Sequence, residues 1–307
     1  TGIGNYTGKA TRTYSITPKT YTVTTESDSK VYDGTALTAG GKVSGIVKGE
    51  TVDFTITGSQ TSVGTSDNTY ELNWTGSAKE SNYKHGKDSI GTLTVKAKSI
   101  VPDGPDTPDE KKTGITVTDP ENSIYDGNEH INGLTVTDSK LNTTLVENTD
   151  YTLTYSGDLI NVGTVTITIK GIGNYTGEFT KTYQILPREY TVTTNTDSKV
   201  YDGTALTAGG TVNNLVDGET VNLTMTGSQT NVGTSDNTYE LNWTGSAKES
   251  NYTHGKDSIG TLTVTKQSIA PDPEHPETYK EVTITSPSDE VYDGKEHKWI
   301  PTVTDKE

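Results

Sequence analysis

Five histidines and no cysteine bound the metal and nucleophile chemistry that this chain can offer. His130 and His297 each follow a glutamate in a Tyr-Asp-Gly-x-Glu-His string, and His85 and His254 sit in glycine-flanked loops. A zinc site needs three or four converging ligands, and no second His or Cys stands at ligand spacing. The Asp-Gly pairs could form a metal loop. They fit a tight turn better, with glycine supplying positive φ and aspartate bonding its own backbone. Asp103, Asp106, Asp109 and Glu110, and again Asp272, Glu274 and Glu277, carry the hard oxygens that suit Ca²⁺, although such a stretch also reads as a solvated charge run. Trp74 and Trp243 could stack on sugars, but their alternation with Leu72 and Leu241 turns them inward. Lys30 and Lys199 stand where an amide cross-link to a facing Asn or Asp would brace a small core, yet the closing strands Leu93-Thr94-Val95 and Leu262-Thr263-Val264 offer neither acceptor. There is no Ser-His-Asp arrangement with an elbow, no phosphate loop and no carboxylate pair set across a cleft. The expectation is therefore no catalytic, cofactor-binding or metal residue, no cofactor, and no enzyme.

The elements that would position such residues are thin. Apolar residues make up 28% of the 307 residues, against roughly 45–50% in ordinary globular chains. One large core is excluded; several small ones are not, because a two-sheet sandwich needs only every second residue turned inward. Threonine is the commonest residue, and with 17 Tyr and 32 Gly the composition reads as strands and turns. A net charge of −16 argues against nucleic acid, whose phosphates need a basic surface. No apolar run approaches the length of a membrane span, so no membrane insertion is expected within this stretch.

Self-similarity is the strongest signal. Residues 58–95 and 227–264 align without a gap and differ only at Ser62/Asn231 and Lys84/Thr253. Two kinds of module alternate. Both open on an aromatic turn: Tyr32-Asp33-Gly34, Tyr125-Asp126-Gly127, Tyr201-Asp202-Gly203 and Tyr292-Asp293-Gly294. A Val-Gly-Thr turn follows (Val63, Val162 and Val232 lead it), and later an Asn-Tyr pair (Asn82-Tyr83, Asn174-Tyr175, Asn251-Tyr252). The divisions follow: 1–18, the C-terminal tail of a truncated type-1 module; 19–99, type 2; 100–112, a Pro/Asp linker; 113–187, type 1; 188–268, type 2; 269–278, a Pro/acidic linker; and 279–307, the start of a truncated type-1 module. Since both ends cut a module, the chain is expected to be a window on a longer protein.

Period-2 alternation is clean at Val52, Phe54 and Ile56, at Tyr70, Leu72 and Trp74, at Tyr151, Leu153 and Tyr155, and at Val165, Ile167 and Ile169. With turn signals every 8–12 residues it predicts an all-β tandem array of small Ig-like β-sandwich modules built of antiparallel strands. A β-grasp-like sheet is the alternative, with only a short turn near Ala78-Lys79-Glu80 to supply its crossing helix.

The Tyr-Asp-Gly turn, the Val-Gly-Thr turn, and the Gly171–Gly177 and Thr182–Ile185 strings (Gly-Ile-Gly-Asn-Tyr-Thr-Gly, Thr-Tyr-Gln-Ile) together resemble the MBG and YDG repeats of bacterial surface proteins. The resemblance spans the chain except its linkers. It implies extracellular, cell-wall-attached adhesins, with such modules strung between a distal head and an anchor. The expected role is a stalk or spacer, with a glycan- or protein-binding repeat acting through avidity as the alternative. The implied partners are neighbouring modules of the same fibre and, through a head outside this stretch, host glycoprotein or matrix.

Overall fold

A computed structural model describes residues 1–270 and 282–305. The chain is all-β. Among the described residues the only helical pieces are three single 3₁₀ turns: Glu80–Asn82, Asp109–Lys111 and Glu249–Asn251. The first of these begins at Glu80, the end of the short turn that the sequence offered for a crossing helix, and the last is its counterpart 169 residues on. Among the described residues no helix is long and apolar enough to cross a membrane. Asp272, Glu274 and Glu277 of the second linker lie outside the described residues.

Two compact units are distinguished, one comprising 1–121, 132–156 and 166–183, the other 122–131, 157–165 and 184–307. In the first, strand Lys19–Thr25 pairs antiparallel with Gly41–Ser44 and parallel with Tyr83–His85. Thr92–Lys96 lies between Asp28–Val31, parallel, and Gly64–Asp67, antiparallel. Asp53–Ile56 and Tyr70–Asn73 form a separate antiparallel pair. The same unit holds Ile115–Val117 against Val136–Asp138, and Tyr151–Ser156 against residues 166–171. In the second unit the 188–268 stretch repeats the same pairings: Arg188–Thr194 with Gly210–Asn213 and Tyr252–His254, and Thr261–Thr265 with Asp197–Val200 and Gly233–Asp236. The parallel pairs correct the expectation of wholly antiparallel strands. Turn residues reveal hairpin neighbours, whereas a parallel partner sits most of a module away and leaves no local mark.

Each core is small. Leu37, Leu93 and Val95 form one, with Tyr32 and Ala39 packed against it; Leu206, Leu262 and Val264, with Tyr201 and Ala208, form its repeat. Phe54, Ile56, Tyr70, Leu72 and Trp74 alternate as expected but are only half-buried. Val165, Ile167 and Ile169 are fully buried. A polar residue ties these thin layers together: buried Asn68 donates its amide to the carbonyls of Glu26, Ala39 and Gly40 at 3.0, 3.2 and 3.1 Å, and Asn237 does the same for Asn195, Ala208 and Gly209. Gly91 supplies the carbonyl that accepts the Asn68 backbone N–H. A Cβ on Gly91 would meet the Glu26 carbonyl oxygen at 2.2 Å, a backbone atom with no side chain to swing aside. Gly91→Ala is therefore expected to cost about 1–3 kcal/mol or more, the range for forced overpacking, and urea unfolding should show it.

Candidate functional site

The Tyr-Asp-Gly motif is a turn, as its residue types predict. Gly34, Gly127, Gly203 and Gly294 have φ between 75° and 81°. Asp33 accepts the Thr35 backbone N–H at 2.9 Å and the Lys30 ammonium at 2.7 Å; Asp202 repeats this with Thr204 and Lys199. Lys30 and Lys199 are thus spent on the turn. The lysine hydrogen bond first, then the threonine donors, hold both carboxyls down at about 2. A carboxyl lowered in the fold adds stability above its ordinary 3.8 and loses it as pH falls toward about 2. Thermal melts should drop through that window, and less steeply once Asp33 and Asp202 are both changed to Asn.

The turn aims its tyrosine at the following module. Tyr32 meets the ring of Tyr175 edge-on, centroids 5.9 Å apart at 76°. The Val-Gly-Thr turn joins in: the Val63 N–H donates to Asn174 Oδ1 at 2.9 Å. Backbone bonds from Lys98 N to Asn174 O (3.0 Å) and from Ile100 N to Thr176 O (2.8 Å) pair the two segments as parallel strands. Beneath them Lys98 Nζ lies 2.5 Å from Asp138 Oδ2, with side chains 7% and 0% exposed. The Tyr175 hydroxyl donates to the same oxygen at 3.1 Å. Burial, then the Asp138 charge, raises the Tyr175 phenol well above its ordinary value.

A second joint, wholly within the other unit, uses the same three motifs. Tyr125 meets Tyr252 edge-on at 5.6 Å and 80°. The Val162 N–H donates to Asn251 Oδ1 at 3.0 Å, and Asn251 Nδ2 donates to Asn161 Oδ1 at 2.8 Å. Here the acid is Glu219. It accepts the Tyr125 hydroxyl at 2.5 Å and the Tyr252 hydroxyl on its other oxygen. Burial, then the hydrogen bond to Glu219, pushes Tyr252 up to about 12. Tyr125 is 3% exposed and Asn251 fully buried, whereas Asn82, the counterpart of Asn251 in the 19–99 stretch, is exposed. The two joints share aromatic and amide contacts and differ in charge: an ammonium and a phenol on aspartate in one, two phenols on glutamate in the other.

No family model matches the chain, and no curated protein does.

The remaining candidates are occupied locally. His85 stacks on Tyr21 at 4.7 Å and reaches Asp88 at 2.9 Å; His254 stacks on Tyr190 and reaches Asp257 in the same way. His130 lies 3.1 Å from Asp126, and His297 2.8 Å from Asp293. Asp103 clasps Thr113 and Gly114, accepting both backbone N–H groups at 2.7 and 2.9 Å. Among the described residues no group of three or more His, Cys, Asp or Glu is placed to hold a metal ion. Trp74 packs on Tyr21 and Tyr83, and Trp243 on Tyr190 and Tyr252, as half-buried framework. Sequence reasoning singled out none of Lys98, Asp138, Glu219, Asn174 or Asn251 as a site. One signal was present: Asn-Tyr and Val-Gly-Thr recur in two module types that otherwise diverge, as residues answering to each other across a joint would.

Proposed function

We propose that the chain is a non-catalytic spacer segment of an extracellular bacterial surface fibre, its Ig-like modules holding a distal binding head away from the cell wall. One observation carries the reading. The three motifs that define the repeat meet each other at two successive joints, and the same bond, from Val63 to Asn174 and from Val162 to Asn251, recurs at both. A repeat whose most distinctive residues serve its own continuation is built to be extended. The net charge of −16 favours solubility and keeps neighbouring fibres apart. Resemblance to the MBG and YDG repeats points the same way and supplies the cell-surface setting. Negative-stain electron microscopy of the chain is expected to show short beaded rods; compact globules would overturn the proposal.

A further inference from the structure

The first joint contains an arrangement that docking alone does not require. Lys98 and Asp138 face each other at 2.5 Å with both side chains sealed from water. A sealed pair of opposite charges is costly to bury, and the second joint works without one, since Glu219 accepts two phenols. The lysine is not demanded by the module fold either, because Gln267 stands at its counterpart 169 residues on. The surroundings of the Asp138 carboxyl are more telling. Its Oδ1 accepts the backbone N–H groups of Lys140 and Leu141 at 3.1 and 3.3 Å, while Oδ2 faces Lys98 Nζ and accepts the Tyr175 hydroxyl. Two fixed N–H dipoles on one oxygen stabilise charge that develops there, and a hydroxyl proton donor sits on the other.

We propose that Lys98 and Asp138 condense to an amide that joins the two modules covalently. A proton passes from Nζ to Oδ2, leaving a neutral amine and a neutral acid. The nitrogen then attacks Asp138 Cγ, and negative charge gathers on Oδ1 under the Lys140 and Leu141 N–H groups. A second proton leaves Nζ by way of the Tyr175 hydroxyl, which ends as it began, and Oδ2 departs as water. One C–N bond forms, one C–O bond breaks, one water is released, and nothing is oxidised or reduced. Fixing the partners in contact replaces a bimolecular encounter with a unimolecular step, and the product carries no charge, which a buried site favours. Lys98 opens the short strand Lys98–Ser99 that leaves one module, and Asp138 ends a strand of the next, so the amide would carry load across the joint.

Intact-mass spectrometry of the full chain tests this independently of the spacer reading, since it depends only on the chemistry at one joint. The expected mass is one water below the sequence mass, and a digest should yield a branched peptide linking the segments around Lys98 and Asp138. Lys98→Gln, which keeps a hydrogen-bond donor but cannot condense, should return the full sequence mass with the fold intact by circular dichroism. A wild-type chain at full sequence mass after prolonged incubation, with Lys98 open to an amine reagent once denatured, would overturn the proposal. So would a water loss that persists in Lys98→Gln.

Discussion

Asp138→Ala is expected to destabilise the chain by about 3–5 kcal/mol, the cost of stripping one partner from a buried pair. The lysine left behind is 7% exposed and has no water to turn to. The Tyr175 hydroxyl loses its acceptor, and the Lys140 and Leu141 N–H groups lose theirs. The loss is expected whichever bond joins Lys98 to Asp138. Denaturant unfolding would measure it, and Lys98→Gln should cost distinctly less because an amide can still donate to the carboxylate. Equal losses for the two variants would mean that the carboxylate contributes little beyond the lysine.

Glu219→Ala is expected to cost about 3 kcal/mol, since two phenols lose a charged acceptor and hydrogen bonds to charged groups contribute about 1.5–3 kcal/mol each. The chain supplies its own control. Glu50 occupies the same place 169 residues earlier, where it accepts the phenol of Tyr83 alone among the described residues. Glu50→Ala should therefore cost roughly half as much. If the two substitutions cost the same, Tyr125 adds nothing to the second joint and its edge-on contact with Tyr252 is incidental.

The sequence is informative about what happens within a strand and a turn, and mute about what happens between modules. Alternation at Val165, Ile167 and Ile169 places a fully buried face, because period-2 burial follows from the pleat itself. The φ values at Gly34 and its three counterparts, and the Asp33 bond to Thr35, follow from turn chemistry that any four-residue window contains. Tyr125 shows the limit. Its place in a turn is legible, but its burial at 3% depends on Glu219 and Tyr252, about a hundred residues on. Lys98 looks like one more solvated lysine beside Lys96 until Asp138 is brought against it. Asn68 is equally opaque: nothing around it reveals that three carbonyls from two distant segments converge on its amide. Pairings with long connections, such as Lys19–Thr25 beside Tyr83–His85, lie beyond any periodicity argument for the same reason.

Whether the repeat motifs are joint hardware is tested most directly by amide hydrogen exchange at three equivalent valines. The N–H groups of Val63 and Val162 donate to Asn174 and Asn251, and that of Val232 faces no acceptor among the described residues. The account predicts that Val63 and Val162 exchange slowly, that Asn174→Ala releases the first and Asn251→Ala the second, and that Val232 exchanges at the rate of an open turn throughout. Uniformly fast exchange at all three, unchanged by either substitution, would contradict it.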